Sequence, residues 1–233
     1  MKNKYDVIMI GAGPSAIFCA YELMQKRPET KILMIEKGRR IEQRKCPKRD
    51  TKVCVGCQPC SFTTGFAGAG AFSDGKLSLS PDVGGNLPEI LGYERTTELL
   101  RESDQIYLQF GADTKVYGIN EEDEIAKIRK KAIQANLKLI ECPIRHLGTE
   151  EGYKIYARLQ KHLLERGVEM RFLTMVKDIL IEDGEVKGVI TDQDETFFAD
   201  EIIAAVGREG SEWLSDICRT YGIETEVGTV DVG

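Results

Sequence analysis

The feature that most constrains this chain is a glycine turn between an apolar run and a helical pattern near its start. Residues 7–10 (VIMI) form an unbroken apolar run, the pattern of a strand buried on both faces of a parallel sheet. Gly11, Gly13 and Ala16 follow with the spacing of a GxGxxG/A fingerprint. These positions serve a tight turn, close backbone approach to a pyrophosphate, and packing of the helix on the strand.

The residues after the turn fit the same unit. Pro14 suits a first helical turn, and Pro28 ends the helix. One helical face carries Ile17, Ala20, Leu23 and Met24. Residues 31–35 predict a second strand, and Glu36 lies about twenty residues past the fingerprint, where an acid binds ribose hydroxyls. The predicted cofactor-binding residues of this unit are Gly11, Gly13, Pro14, Ser15, Ala16 and Glu36.

These elements in register favour an adenine dinucleotide. Because an acid at Glu36 disfavours a 2′-phosphate, FAD or NAD is preferred over NADP. A glycine-rich turn in some other βαβ unit is the alternative.

Composition narrows the class of protein. The chain has 233 residues with 42% hydrophobic content, enough for one large domain or two small ones. A formal charge of -6 argues against a nucleic-acid partner. Asp6 interrupts the only signal-like start and no run is long enough to span a membrane, so we expect a cytoplasmic protein with no membrane partner. The seven cysteines are then expected to be thiols, metal ligands or redox groups rather than disulfides.

A basic segment follows Glu36 and has no apolar period, so it is expected to be a loop. Lys37, Arg39 or Arg40, next to the ribose acid, would flank the nucleotide phosphates. A solvated surface is the alternative.

Four cysteines crowd the next stretch. Cys54, Cys57 and Cys60 form CxxCxxC, and Cys46 lies upstream. Thiolates at this spacing can converge on zinc or an iron–sulfur cluster. A redox pair of thiols beside a flavin and a reduced, packed loop are the other two interpretations.

The stretch from Thr63 to Leu77 is too rich in glycine for a strand or a helix. Such a loop brings backbone close to a ligand or adopts positive φ, and its amides can hold phosphate or the polar edge of a flavin ring. The predicted contacts are Gly68, Ala69, Gly70, Ser73, Asp74 and Lys76. A flexible linker is the alternative, but Phe66 and Phe72 favour a packed loop.

The rest of the chain predicts an α/β fold. Helices are expected at 95–110, 121–136, 151–166 and 212–221, and extended segments at 113–118, 138–144 and 168–173. Period-two segments at 177–182, 186–191 and 196–199 predict an antiparallel meander with an Asp-Gly turn. Another buried strand is expected at 202–206, and the opening of one more at 227–232. The expected architecture is a Rossmann-like domain with a parallel sheet and a three-stranded meander.

The motifs GAGPSA, IEKG, the cysteine cluster and GFAGAGAFSDGKL resemble those of the uncharacterised FAD-dependent dehydrogenases, which have a glutathione-reductase-like fold. The resemblance implies a bound FAD, an unassigned substrate and no catalytic residue that can be carried over. It also implies that backbone near Val176 meets the adenine edge and that Ala205, Gly207 and Arg208 close on the cofactor. NAD(P)H is the expected electron donor.

The expected domain organisation follows from the same resemblance. Residues 1–233 would form an FAD-binding domain, with 86–150 partly an insertion, and relatives continue into a substrate domain. The expected function is an FAD-dependent oxidoreductase acting on a small-molecule substrate or an electron carrier. The alternatives are a nucleotide-binding module without chemistry of its own and an iron–sulfur or zinc protein that exchanges electrons with the flavin.

Overall fold

The computed structural model describes residues 3–120, 122–226 and 228, and the chain divides into two compact units. The first unit comprises the chain up to Ala69 together with the chain from Gln160 onward, and the second runs from Gly70 to Leu159. Apart from Gly228, the strand expected at 227–232 lies outside the described residues.

Regular elements account for most of both units. The strands, in chain order, are β1 (Lys4–Ile10), β2 (Ile32–Glu36), β3 (Lys76–Ser78), β4 (Val116–Tyr117), β5 (Ile144–His146), β6 (Glu169–Phe172), β7 (Val176–Glu182), β8 (Glu185–Thr191) and β9 (Thr196–Ala204). The helices are α1 (Pro14–Lys26), α2 (Lys48–Thr51), α3 (Leu87–Leu91), α4 (Tyr93–Gln109), α5 (Glu122–Gln134), α6 (Thr149–Glu165) and α7 (Ser211–Thr220). Short 3-10 turns cover Ile41–Gln43, Gly68–Phe72 and Arg208–Gly210.

The first unit is built on a six-stranded sheet with the order β6-β2-β1-β9-β8-β7. The four neighbouring strands β6, β2, β1 and β9 run parallel to one another. Strands β9, β8 and β7 form an antiparallel meander at the other side of the sheet. This arrangement confirms the predicted fold class. Because β1 and β2 lie inside the parallel half, side chains on both of their faces are buried, as the unbroken apolar runs indicate.

The prediction of two separate strands at 196–199 and 202–206 was wrong, because β9 is one continuous strand. Its first residues pair antiparallel with β8, from Ile190 opposite Thr196 to Gly188 opposite Phe198. From Phe198 onward it pairs parallel with β1 until Ala204 lies opposite Ile10. The same strand therefore joins the meander to the parallel sheet.

The core of the first unit lies on both faces of this sheet. One cluster gathers side chains from β1, β2, β7, β8 and β9: Ile8, Ile10, Leu33, Ile35, Val176, Val189, Phe197 and Ala199. Trp213 of α7 and Val206 pack against it. Burial of apolar side chains contributes about 25 cal/mol per Å² removed from water, so this cluster is a main source of the unit's stability.

The second unit holds a three-stranded antiparallel sheet, β3-β5-β4, which the sequence does not predict. The strand expected at 138–144 was placed too early, because β5 begins only at Ile144. Arg145 ties β5 to α4, because its guanidinium donates to both carboxylate oxygens of Asp104 on α4, at 2.5 and 2.8 Å. A buried hydrogen bond of 2.8 Å between the hydroxyls of Tyr107 and Tyr156 ties α4 to α6.

Within the described part of the chain, none of the helices combines the length and apolar character needed to cross a membrane.

Candidate functional site

The turn after β1 is held so closely that only glycine fits its first position. Gly11 has φ +100°, and a Cβ there would lie 2.6 Å from the carbonyl oxygen of Ala205. The Ala205 N–H in turn donates to the carbonyl of Ile10 at 2.9 Å, which fixes the two chain segments side by side. The end of β9 is thus packed directly against the fingerprint turn.

The second fingerprint glycine faces open space. Gly13 is the N-cap of α1, and a Cβ built on it would meet no atom within 4 Å. No side chain caps this helix, and Pro14 and Ser15 in the first turn are exposed. A helix start without a side-chain cap is a ready anion site, because the N–H groups of its first turn and the helix dipole both favour negative charge.

Ala16 takes the third fingerprint position, and it is fully buried in the helix face that packs on the sheet. Its small side chain matches the role of close helix-strand packing.

The carboxylate of Glu36 is buried and oriented by the backbone. One oxygen accepts from the Ala12 N–H at 2.9 Å and the other from the Gly38 N–H at 2.7 Å. A carboxylate has about four acceptor sites, so these two bonds leave lone pairs for the hydroxyls of a ligand. The ends of β1 and β2 thus bring the glycine turn and this acid to one place.

A cleft opens beside this carboxylate, and we call it the Glu36 cleft. The space between its walls, counted out to the open mouth, is about 480 Å³. Its lining is mainly apolar and comes from the ends of β1 and β2, the segment after β9, the start of β7 and helix α7: Ile10, Gly11, Ile35, Glu36, Lys37, Thr174, Met175, Val176, Val206, Glu209, Gly210 and Trp213. The predicted residues Gly11, Glu36, Lys37 and Val176 therefore share one cavity.

Two lining residues, Glu209 and Trp213, were not singled out in the sequence. Lys37 Nζ lies 3.5 Å from a Glu209 carboxylate oxygen and donates to the Glu209 carbonyl at 3.3 Å. The Trp213 indole N–H donates to the carbonyl of Lys177 at 3.2 Å, which fixes the ring on the wall of the cleft. Neither residue belongs to a recognisable motif, so only the fold brings them to the site.

The other predicted residues of this segment lie nearby. Gly207 has φ +59° and precedes the 3-10 turn that carries Glu209. Arg208 is exposed and is not part of the cleft lining.

The start of the glycine tract packs on the fingerprint turn. The Ala67 N–H donates to the Ala12 carbonyl at 2.7 Å, and a Cβ on Gly68 would lie 3.7 Å from the Gly13 Cα. Ala69 follows as an exposed residue. Within the first unit, the structure therefore brings the fingerprint turn and the first part of the tract together.

Arg44 holds that part of the tract, a role the sequence did not reveal. Its guanidinium is buried and donates to four backbone carbonyls, those of Ser61, Phe62, Phe66 and Gly68, at 2.6–3.3 Å. Burial lowers the pKa of Arg44 to about 10, while the charges of Glu36 and Cys60 act in the opposite direction. A Cβ on Gly65 would lie 2.8 Å from the Arg44 Cδ, so the tract must be small at this point.

The later part of the tract belongs to the second unit. Ser73 Oγ donates to the Gly70 carbonyl at 3.2 Å, Lys76 pairs with Asp74 at 3.5 Å, and the Asp74 carbonyl accepts from the Gly148 N–H. Ser73 and Asp74 therefore lie in a turn that leads into β3, and Lys76 is the first residue of that strand. Their contact with a cofactor stays a prediction.

The flanking cations divide between two places. Arg39 lines a different cleft, together with Lys45, Cys57 and Thr64, and this cleft shares no residue with the Glu36 cleft. Arg40 is exposed and lies over the ring of Phe172, 6.0 Å from its centre. Only Lys37 of the three predicted cations therefore lines the Glu36 cleft.

The four clustered cysteines are free thiols in this structure. Among the described residues, no three His, Cys, Asp or Glu side chains are grouped so that they could hold a metal ion. The metal site at Cys46, Cys54, Cys57 and Cys60 therefore stays a prediction. Cys60 differs from an ordinary thiol, because the Thr63 N–H, the Thr63 hydroxyl and the Phe62 N–H lower its pKa.

Comparison with protein families gives one match. The model of the pyridine nucleotide-disulphide oxidoreductase family matches residues 123–232. A curated relative, the tRNA uridine 5-carboxymethylaminomethyl modification enzyme of Streptococcus pyogenes, is 35% identical over 65 residues. That match covers 28% of this chain and 10% of the relative.

Solved structures give a broader similarity. Glycine oxidase from Geobacillus kaustophilus superposes with a TM-score of 0.53 at 14% identity, covering 95% of this chain and 59% of that one. L-amino acid deaminase from Proteus vulgaris, without its specific insertion, has a TM-score of 0.52 at 12% identity, covering 93% and 56%. The 3-ketosteroid-delta4-(5alpha)-dehydrogenase from Rhodococcus jostii RHA1 has a TM-score of 0.51 at 15% identity, covering 87% and 46%.

The chain shares the fold of these enzymes. It spans about half the length of each of these solved chains. At identities of 12–15% the superpositions show the fold alone, so the function has to be argued from the site itself.

Proposed function

We propose that this chain binds the adenosine diphosphate portion of FAD and belongs to an FAD-dependent oxidoreductase. The observation that carries the proposal is the single cleft that joins the fingerprint turn, the Glu36 carboxylate and the backbone at Val176. A dinucleotide needs an anion site for its pyrophosphate, an acceptor for its ribose hydroxyls and an apolar slot for its base.

Each of these needs has a matching group in the first unit. The uncapped start of α1, with Gly13 facing open space, suits the pyrophosphate. The oriented carboxylate of Glu36 suits the ribose hydroxyls. Met175, Val176 and Trp213 give the cleft an apolar wall for adenine. The donor set therefore fits the group.

When bound, FAD supplies hydride or electron transfer, and the protein binds and orients it. The chain's own residues fix the cofactor at its adenosine end, with Arg44 holding the carbonyls of the adjoining tract in place. We further propose NAD(P)H as electron donor and a small-molecule substrate or electron carrier as reaction partner. The matched family model, which describes pyridine nucleotide oxidoreductases, supports the donor.

The test is a binding titration with FAD. Trp213 is the single tryptophan of the chain and lines the cleft, so its fluorescence reports occupancy directly. We expect saturable quenching by FAD and by ADP, and a flavin absorbance spectrum that remains with the protein after gel filtration.

Riboflavin, which lacks the adenosine diphosphate portion, is the matched control ligand and should compete poorly. Absence of saturable quenching by both FAD and ADP would contradict the proposal. Quenching by riboflavin but not by ADP would mean that the cleft receives the flavin ring and not the adenosine diphosphate portion, which would also contradict the proposal.

A further inference from the structure

The ammonium group of Lys37 is held at the Glu36 cleft by a residue from a distant segment. Lys37 follows β2, whereas Glu209 lies in the 3-10 turn between β9 and α7. Lys37 Nζ lies 3.5 Å from the Glu209 carboxylate and 3.3 Å from the Glu209 carbonyl oxygen. The lysine is therefore held by two oxygens of one residue.

The charges of the cleft are few and unequal. Among its lining residues, only Glu36, Lys37 and Glu209 are ionisable at neutral pH, two acids and one base. Glu36 has both oxygens engaged by backbone N–H groups, and the positive charge of Lys37 is balanced by Glu209. A phosphate that enters beside Glu36 therefore meets a net negative environment.

We propose that Glu209 is a specificity-determining residue of this cleft, which keeps Lys37 paired and so selects adenosine with a free 2′-hydroxyl over adenosine with a 2′-phosphate. The inference rests on the proposed function, because it assumes that adenosine occupies the Glu36 cleft. It goes beyond the sequence motif, which assigns discrimination to the acid at the end of β2 alone.

The physical reason is that Lys37 lines the same cleft as the carboxylate proposed to accept the ribose hydroxyls. It is adjacent in sequence to Glu36, whose carboxylate is the ribose acceptor, and it lines the same cleft. With Glu209 neutral, the ammonium group would be available to a phosphate, for which lysine is an effective partner as a point charge. Removal of one negative charge from the lining of the cleft also weakens the repulsion of the ligand.

The experiment compares two ligands that differ only in the 2′-phosphate, 5′-AMP and adenosine 2′,5′-bisphosphate. Affinities are measured by quenching of Trp213 in the wild-type chain and in the Glu209→Gln variant. We expect the ratio of their dissociation constants to shift by about tenfold toward the bisphosphate, the size expected for one charge near a protein surface.

Two further variants separate the pairing from general charge effects. The double variant Lys37→Gln/Glu209→Gln should lose most of the shift toward the bisphosphate, because the ammonium group that would bind the 2′-phosphate is gone. Glu212→Gln removes an exposed acid at the start of α7 that does not line the cleft, and it should leave the ratio unchanged. Thermal melting of every variant checks that the fold is retained.

The outcomes are distinct. A wild-type chain that binds 5′-AMP, with an unchanged ratio in Glu209→Gln, overturns this inference and leaves the proposed function standing. The inference is also overturned, with the proposed function intact, if Glu212→Gln shifts the ratio as much as Glu209→Gln does. A wild-type chain that binds ADP but neither of these ligands overturns this inference alone, and one that binds none of these three nor FAD overturns the proposed function with it.

Discussion

The two fingerprint glycines have different physical roles, although the sequence motif treats them alike. Gly11 is required by the fold, since its φ is +100° and a Cβ would lie 2.6 Å from the Ala205 carbonyl oxygen. Gly13 has φ -77° and open space beside it, so the fold tolerates a side chain there. What a Cβ at Gly13 would obstruct is the approach of a ligand to the start of α1.

This difference predicts opposite outcomes for two alanine variants. Gly11→Ala should lower the free energy of unfolding by about 2 kcal/mol or more, because it adds backbone strain and a steric clash. Gly13→Ala should change it by less than about 0.5 kcal/mol but weaken ADP binding at least tenfold, measured by Trp213 quenching. Urea unfolding and ligand titration on both variants decide the matter. Equal stability of the two variants would contradict this division of roles.

Cys60 predicts a pH effect that can be measured directly. Hydrogen bonds from the Thr63 N–H, the Thr63 hydroxyl and the Phe62 N–H lower its pKa, so its thiolate persists at lower pH than that of an ordinary cysteine. Alkylation of Cys60 by iodoacetamide, followed by peptide mass spectrometry, should therefore rise with pH through a midpoint below that of a model thiol. Thr63→Val should move this midpoint upward by roughly half a unit, whereas Thr63→Ser should not. A midpoint unaffected by Thr63→Val would show that the hydroxyl contributes nothing.

Residue by residue, the sequence predicts the groups that a local motif specifies. Gly11, Glu36 and Val176 were expected at the cofactor and line one cleft. Arg44, Glu209 and Trp213 were not expected, because their partners lie 17 to 172 residues away in sequence for the contacts described. The sequence carries only a weak signal for Arg44. It is a cation close in sequence to a glycine-rich tract whose backbone carbonyls need hydrogen-bond donors.

At the scale of elements, a buried ion pair joins strand β5 to helix α4 in the second unit. Arg145 of β5 donates to both oxygens of Asp104 on α4, and it also donates to the Asp113 carbonyl at 2.5 Å. The side chains are 5% and 11% exposed, so the loss of one partner would leave a buried charge without compensation.

Asp104→Asn should therefore lower the free energy of unfolding by about 3 kcal/mol and increase hydrogen exchange at β5. The matched control is Glu98→Gln on the same helix, which removes the exposed partner of Arg95 and should cost less than about 1 kcal/mol. Denaturant unfolding followed by circular dichroism gives the energies, and exchange mass spectrometry gives the location. Similar costs for the two variants would mean that burial does not strengthen the Asp104 pair.

The elements also show where sequence patterns carry little information. Helix α4 was expected at 95–110 and lies at Tyr93–Gln109, since a long amphipathic period is a strong signal. Strands β3, β4 and β5 have only two or three residues each, too few to establish a period of two. β9 was divided in two because the charged residues Asp200 and Glu201 separate its two apolar stretches in the sequence.

For the molecule as a whole, the cleft predicts that ligand binding and folding of the first unit are linked. A ligand that binds only the folded state raises the free energy of unfolding, by about 2.7 kcal/mol at one hundred times its dissociation constant. We expect ADP at that concentration to produce a shift of this size in urea unfolding monitored at Trp213. Gly13→Ala is the control, and because its ADP binding is expected to be at least tenfold weaker, the shift at the same ADP concentration should fall to about 1.4 kcal/mol or less. A shift that survives this substitution in full would place ADP elsewhere.

The pairing of β1 with β9 limits how early the six-stranded sheet can form during translation. Lys4 lies opposite Phe198, so one neighbour of β1 is synthesised 194 residues (198 − 4) after it. At roughly 5–20 residues per second, the apolar edge of β1 waits on the order of ten to forty seconds for that neighbour. In this interval β2 covers one edge and the other stays open, which makes the nascent chain a natural client for chaperones.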